Sequence, residues 1–399
     1  MDDGAGHAPA ARGHGVTAAT IGDIRPATVA EVAASVRASV ASATPLRIVA
    51  RGGWLDAGRP VRAVDRLHVD ALTGIVDYTP GDLTLTARAG TPLAEIDRAT
   101  RAEGQWLPLL PYGGDAGSLG ATIATASAGP FAHAMGLPRD TVLGVEFVTG
   151  TGDVVRGGGR VVKNVAGFDL TRLIVGSWGT LGVITEVTVR LRARSERDES
   201  IAVEISDHPS ELAMFLERLR SAPLAPIALE LIDARLSHRL ELGGRPVLLA
   251  RLAGNDDSVT AQRRSLGTLA ALRDVDVTVW DALRDEPAGA IVFRISGPPS
   301  RFAELWRRAS MAASAGGGHA CASVRRGVAR IVLDGAHDRV RDAVHAAGPA
   351  FPIVHERLPA GLWASLSRGA TDDRLSRGIK RAFDPRGVLN PGILGEAVA

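Results

Sequence analysis

Cysteine is almost absent: Cys321 is the only one in a chain of 399 residues. A lone thiol excludes an internal disulfide and any multi-cysteine iron–sulfur or zinc site, and it fits a reducing, cytoplasmic setting. Lysine is nearly as scarce, at Lys163 and Lys380 alone, so the 46 basic residues are almost all arginine. They meet 44 acidic residues, and the net charge of +2 leaves no broad field to draw the chain to nucleic acid or a membrane. Two tyrosines and eight phenylalanines offer little for a base-stacking platform, so nucleic acid is not an expected partner. No apolar run approaches the roughly 18 residues that read as a membrane-crossing helix. The start, MDDGAGHAPAARGHG, lacks the basic-then-apolar order of a secretion signal, and residues 1–23 read as a flexible tail.

Common nucleotide signatures are missing too. No G-x-G pair, those at 150/152, 157/159 and 316/318 included, has a glycine three positions later, and no Gly-Lys pair exists. A dinucleotide turn of the Rossmann type and a P-loop are therefore both excluded. The ten histidines form no HxH or HxxxH pair, so no metal site is expected.

What remains is an ordinary globular composition, 45% hydrophobic and 23% charged, long enough for two or three domains. Val29, Val32, Val36 and Val40 recur at helical spacing behind Thr28 as N-cap. LRIVARGG then reads as a short strand entering a glycine turn. GIVDYTPGDLTLTARAG reads as two strands about a Pro-Gly turn, and TPLAEIDRATRAEG as a helix with Thr91 as N-cap and Pro92 first. Strands are expected at 141–149 and 152–156. The charged run 195–200 (SERDES) marks a boundary. Beyond it IAVEISD, IALELIDA, RPVLLARLAG, VDVTVWD, AIVFRIS and VARIVLDG read as strands, with helices at 209–220 and 259–273; GGRPV and AGGGHA read as loop tips. That pattern is α+β with antiparallel strands.

The 46 glycines cluster, and two clusters share a spacing: Gly114, Gly117, Gly120 and Gly176, Gly179, Gly182. Glycine lets a ligand approach the backbone, and successive free N–H groups form a nest for phosphate oxygens. Gly117-Ser118-Leu119-Gly120 opens into a helix-like ATIATASA, where Ser118 and Thr122 could donate to the same anion. As single motifs these are also ordinary tight turns.

Longer motifs carry more. RGGW (51–54), YTPGDLT (78–84), AGTPL (89–93), GSLGATIAT (117–125), RDTVLGVE (139–146), VVKNVAGFDLTRLIVGSWGTLGVITEVTVRL (161–191) and FDPRGVLNPG (383–392) together resemble the PCMH-type FAD-binding domain. This is the domain of the vanillyl-alcohol oxidase/p-cresol methylhydroxylase superfamily, and the likeness is greatest to bacterial glycolate oxidase FAD-binding (E) subunits. The resemblance implies a two-lobed α+β fold. Residues 24–194 would form the FAD-binding domain, 195–370 an antiparallel-sheet cap, and 371–399 a return to the FAD domain. It implies FAD held by Arg51, Gly52, Gly53 and Trp54, by Pro111, Gly113, Gly114, Gly117, Ser118, Gly120, Ala121 and Thr122, by Gly182, Val183 and Ile184, and by Asn390. Covalent members commonly carry a histidine just after the arginine-glycine loop, where this chain has Trp54, and no other candidate is marked, so a non-covalent FAD is expected.

The H-x-G-D/E-G-N-x-H segment of related hydroxyacid dehydrogenases is absent, and no catalytic base can be named. Lys163, Asn164 and Asp169 are the polar residues of the central motif, with Asp169 also readable as a helix cap. His133 and Arg139 read as a satisfied histidine and an ion-paired arginine, Cys321 as a small buried residue. The resemblance thus implies an FAD-dependent oxidoreductase acting on a small 2-hydroxy acid such as glycolate. The alternatives are an electron-relay subunit beside a second flavin subunit and an iron–sulfur subunit, or a sugar or aldonolactone oxidase of the same fold.

Overall fold

The computed structural model describes residues 22–63, 65–113, 117–159, 169–335, 337–366 and 373–395. The tail 1–21, Gly114, Lys163 and Asn164 lie outside the described residues.

In the first lobe, Thr28 accepts the Glu31 N–H and starts helix α1 (Val29–Ser42), whose Val32 and Val36 are fully buried. Strands β1 (Asp23–Ile24), β2 (Leu46–Val49) and β3 (Asp65–His68) make a small parallel sheet in the order β1-β3-β2. The Pro-Gly turn joins β4 (Ile75–Thr79) to β5 (Thr84–Arg88). Helix α2 (Leu93–Arg101) begins one residue later than the sequence reading has it: Thr91 turns its hydroxyl to the Gly74 backbone, so Pro92 becomes the N-cap. After β6 (Gln105–Trp106), helix α3 (Leu119–Thr125) is capped by Ser118. β7 (Val142–Val148), β8 (Val154–Gly158) and β9 (Val183–Arg190) complete an antiparallel sheet ordered β4-β5-β9-β7-β8. β10 (Arg192–Ala193) pairs with β6.

The second lobe is one antiparallel sheet of eight strands: β11 (Arg197–Glu204), β12 (Ala228–Ile232), β13 (Val247–Gly254), β14 (Arg273–Val275), β15 (Ile291–Ser296), β16 (His319–Ser323), β17 (Val328–Leu333) and β18 (Ile353–Arg357). Their order is β14-β11-β13-β12-β16-β17-β15-β18. The charged run taken as a boundary therefore enters β11 at Arg197. VDVTVWD is a strand only as far as Val275. Asp276 accepts the Thr278 N–H and hydroxyl, the chain turns, and Trp280 enters a helix (Val279–Arg284) whose indole donates to Ser200. AGGGHA ends the helix Phe302–Gly316 at Gly317, φ 68°, and then enters β16 rather than forming a loop tip.

Side chains alternate across a strand. Leu229 and Leu231 of β12 therefore face the helices, while Ala228 and Ile232 join a second cluster with Phe131 of the first lobe. That second face carries the contact between lobes. Nη1 of Arg284 donates to the Pro111 carbonyl (2.9 Å), and the Gly113 N–H donates to the Arg284 carbonyl (3.0 Å). The C-terminal segment lies on the first lobe: Leu389 bridges Leu46, and Asp384 abuts Gly150.

Candidate functional site

Three stretches of backbone enclose one groove in the first lobe. β2 runs out at Val49 into Arg51-Gly52-Gly53-Trp54; α3 presents its first turn from Gly117 to Ala121; and Trp178, Gly179, Gly182 and Ile184 form the third wall. Asn390 closes the end. Its Oδ1 accepts the Ile48 N–H (2.8 Å) and its Nδ2 donates to the Trp178 carbonyl (2.7 Å), so it ties two walls together. Gly52 needs its φ of 88° to turn the chain. A Cβ on Gly53 would meet nothing within 4 Å, so this backbone faces open space.

The groove suits an anion. Among the described residues that line it there is no Asp or Glu, and no His, Cys or Tyr. Arg47 lies beneath the 51–55 loop, and its Nη2 donates to the carbonyls of Trp54 (3.3 Å) and Leu55 (3.4 Å). Among the described residues its Nη1 is buried without a hydrogen-bond partner, and burial pulls the guanidinium pKa down to about 10. An unpaired buried cation is costly, and a phosphate is the group that would satisfy it.

Of the residues named from sequence, Arg51, Gly52, Gly53, Trp54, Gly117, Ser118, Gly120, Ala121, Gly182, Ile184 and Asn390 line this groove. Pro111, Gly113, Thr122 and Val183 are not among its lining residues. Pro111 and Gly113 hold the second lobe, and Val183 is wholly buried in the core beneath β2. Thr122 donates its hydroxyl to the Ser118 carbonyl and so has no proton for an anion. Gly120 borders the groove, yet its own requirement is packing: a Cβ there would lie 2.6 Å from Ala89 Cβ and 2.8 Å from its carbonyl oxygen. Asp169 is the N-cap of the helix Leu170–Ile174.

A second cavity, of about 470 Å³, adjoins the groove and shares Trp54, Thr125, Trp178 and Ile393 with it. The two indoles meet edge to face at 5.9 Å. The far wall is the inner face of the eight-stranded sheet, with Glu230, Ser323, Arg294, Arg326, Arg330 and Glu356, joined by Tyr112. Arg330 is buried between Glu286 and Glu356 and lies over the Tyr112 ring at 4.3 Å, and these carboxylates outweigh burial to hold its pKa well above normal. Glu286 also pairs with Nη1 of Arg357 (2.8 Å), whose Nη2 donates to the Gly53 carbonyl (3.1 Å). Nη1 of Arg330 in turn reaches Glu356, whose carbonyl accepts the Gly58 N–H (2.8 Å). The groove loop is thus pinned to the second lobe.

His133 turns away from this cavity. Its Nε2 lies 2.8 Å from the Pro226 carbonyl, and burial lowers its pKa. Arg139 pairs with Asp140 at 3.9 Å. Cys321 is buried against the Tyr112 hydroxyl, and burial pushes the thiol up to about 12. Sequence reasoning missed Arg47, Trp178, Glu230 and Arg326. The available signals were a cation inside the strand LRIV and a carboxylate inside the apolar run IALELI.

A family profile described as "FAD binding domain" matches residues 21–158, and one described as "FAD linked oxidases, C-terminal domain" matches residues 362–394. The chain is 37% identical over 254 residues to the glycolate oxidase subunit GlcE of Escherichia coli, which covers 63% of this chain and 67% of that protein. It is 26% identical to a D-lactate dehydrogenase of Archaeoglobus fulgidus over 92% of this chain and 90% of that one. Other relatives at 33% identity are matched over less than half of their own length. Among solved structures, p-cresol methylhydroxylase with substrate bound superimposes with a TM-score of 0.73 at 14% identity, covering 94% of this chain and 88% of that one. At that identity the likeness shows the fold alone. No helix among the described residues is long and apolar enough to cross a membrane, and no group of three His, Cys, Asp or Glu side chains among them could hold a metal.

Proposed function

The chain belongs to the FAD-linked oxidases with a PCMH-type FAD-binding domain, and from that premise we propose that it oxidises a small 2-hydroxy acid of the glycolate type. It is an FAD-dependent oxidoreductase, and FAD takes up two electrons and a hydrogen when bound. The supporting observation is the union of two spaces: an anion-suited groove opens past Trp54 and Trp178 into a cavity with a buried carboxyl and several arginines.

In this reading Arg47 and the Gly52–Gly53 backbone hold the pyrophosphate, while Gly117 to Ala121 and Gly182 to Ile184 flank the rest of the cofactor. Asn390 is a positioning residue, because both ends of its amide bond to groove backbone. Arginines in the cavity suit a carboxylate better than a neutral sugar, which sets aldonolactone oxidation aside. The cytoplasm is the proposed setting. A second flavin subunit and an iron–sulfur subunit are the proposed partners for reoxidation.

Anaerobic mixing of the FAD-loaded chain with glycolate and D-lactate tests the reading. Bleaching of the yellow colour by either acid supports an enzyme active alone; a chain that stays yellow with both is an electron-relay subunit instead. The flavin is proposed to be non-covalent, since the groove offers no His, Cys or Tyr among its described lining residues. Acid precipitation should leave all yellow colour in the supernatant, and flavin that sediments with the protein would contradict this.

Gly53→Val tests the groove itself. Nothing stands within 4 Å of the new Cβ and φ is not positive, so the fold should accept it. In the path of the cofactor, overpacking costs about 1–3 kcal/mol, or roughly 5- to 150-fold in FAD affinity. Titration of apoprotein with FAD, beside its circular dichroism, should show weaker binding at unchanged fold. Equal affinities would place the flavin elsewhere.

A further inference from the structure

The family reading leaves the cavity without an assigned acid or base, and the described residues supply one. Glu230 sits in mid β12, opposite Ser323 of β16, on the sheet face turned to the first lobe. It is 1% exposed. Among the described residues neither its carboxyl oxygens nor the Ser323 hydroxyl oxygen has a partner in good hydrogen-bond geometry, although Ser323 lies near enough to act on the carboxyl. An unpartnered carboxyl in a sheet core is expensive unless a ligand uses it. Arg326, in the turn between β16 and β17, lines the same cavity half-buried and makes no hydrogen bond or ion pair among the described residues. Every other arginine of the cavity wall has an acid or ring to hold it: Arg294 pairs with Glu356, Arg330 with Glu286 and Glu356, and Arg59 lies over Trp363.

We infer that Glu230 accepts the hydroxyl proton of the 2-hydroxy acid and that Arg326 holds its carboxylate. The inference rests on the proposed substrate class. In the step, the substrate O–H bond breaks and its proton forms a bond to a carboxyl oxygen of Glu230. The α-hydrogen leaves with its electron pair to the flavin, and the C–O bond becomes C=O. The acid leaves as a 2-oxo acid, the flavin is reduced by two electrons, and Glu230 returns its proton to solvent through the cavity. Ser323, across the strand pair, is placed to donate its hydroxyl to the carboxylate form.

Burial is the main cause of a raised pKa at Glu230, pushed up to about 8, while Ser323 and Arg326 pull it back. The groups facing it are Ser323 and Cys321 of β16, Arg326 of the turn, Arg330 of β17 and Tyr112 from the first lobe; on β13, Arg251 is held by Asp198. Below about pH 8 the carboxyl keeps its proton and cannot accept another, so flavin reduction should speed up with pH and level off above that value. Stability carries the opposite sign. The folded state binds this proton more tightly than the unfolded chain, whose pKa is near 4.5, so stability falls as pH rises from about 4.5 to 8.

The test uses the FAD-loaded full chain as wild type, Glu230→Gln and Arg326→Ala. Glu230→Gln should slow anaerobic bleaching by glycolate or D-lactate about 100- to 10⁴-fold and flatten its pH profile. Its melting temperature should gain on wild type as pH rises from 5 to 8, a readout that needs no turnover. Calorimetric titration with oxalate, a small dianion of matching shape, should keep its affinity in Glu230→Gln and lose about 10- to 100-fold in Arg326→Ala. Bleaching of Glu230→Gln at the wild-type rate overturns the assignment of Glu230 while the proposed function stands. Equal oxalate affinity in Arg326→Ala overturns that of Arg326. A wild type that no 2-hydroxy acid bleaches sinks the reading beneath both.

Discussion

Arg47→Ala should weaken FAD binding by about 2–5 kcal/mol, from roughly thirty-fold to a few thousand-fold, the range for removing one partner of a buried charge pair. The free protein carries the motive. Arg47 Nη1 is buried and has no hydrogen-bond partner among the described residues, and its Nη2 holds the carbonyls of Trp54 and Leu55. Removing the side chain deletes the cation and loosens the loop it braces, and both changes act on FAD. Burial lowers the Arg47 pKa to about 10; a phosphate beside it would favour the charged form and raise that value. Fluorescence titration of apoprotein with FAD gives the loss directly, and Arg47→Lys should recover part of it, since a point charge replaces a planar fork. Unchanged affinity in Arg47→Ala would remove Arg47 from the cofactor site.

Glu286→Ala should destabilise the protein by about 3–5 kcal/mol, because it strands buried charge. The Glu286 side chain is 3% exposed and answers two guanidinium groups, Arg330 and Arg357, themselves 6% and 7% exposed. Without it those buried cations have, among the described residues, Glu356 and the half-exposed Asp56 to offset them. For a lobe of this size the loss corresponds to a fall of about 10 °C in melting temperature. The damage should spread across the lobes, because Arg357 holds the Gly53 carbonyl and lies 5.3 Å from the Trp54 ring. FAD affinity should therefore fall together with stability. A melting point within about 2 °C of wild type would show that the cluster carries little of the inter-lobe bond.

Local order was legible wherever one side chain decided it. Thr28 and Asp169 cap the helices they precede, because each offers an oxygen to an orphan backbone N–H. The Pro-Gly hairpin was legible for the same reason. Readings failed where a tertiary contact outbid the local pattern: Thr91 bonds across to Gly74, and Trp280 leaves a strand-like alternation to reach Ser200.

The groove was legible through its glycines and family motifs, since backbone approach leaves a mark in composition. The cavity was not. Glu230 and Arg326 are far apart in sequence and meet only through the pairing of β12 with β16 and the turn into β17, a register that no local pattern encodes. Arg47 was hidden because a cation inside a short strand leaves no mark that sets that strand apart.

A crystal structure of the protein purified with FAD tests the central claim most directly. The account predicts flavin density filling the groove, with the pyrophosphate in hydrogen-bonding distance of Arg47 Nη1 and of the Gly52–Gly53 backbone, and the ring system reaching the Trp54–Trp178 pair at the mouth of the Glu230 cavity. A flavin bound elsewhere, or a groove closed by its own side chains while FAD is present, would contradict it.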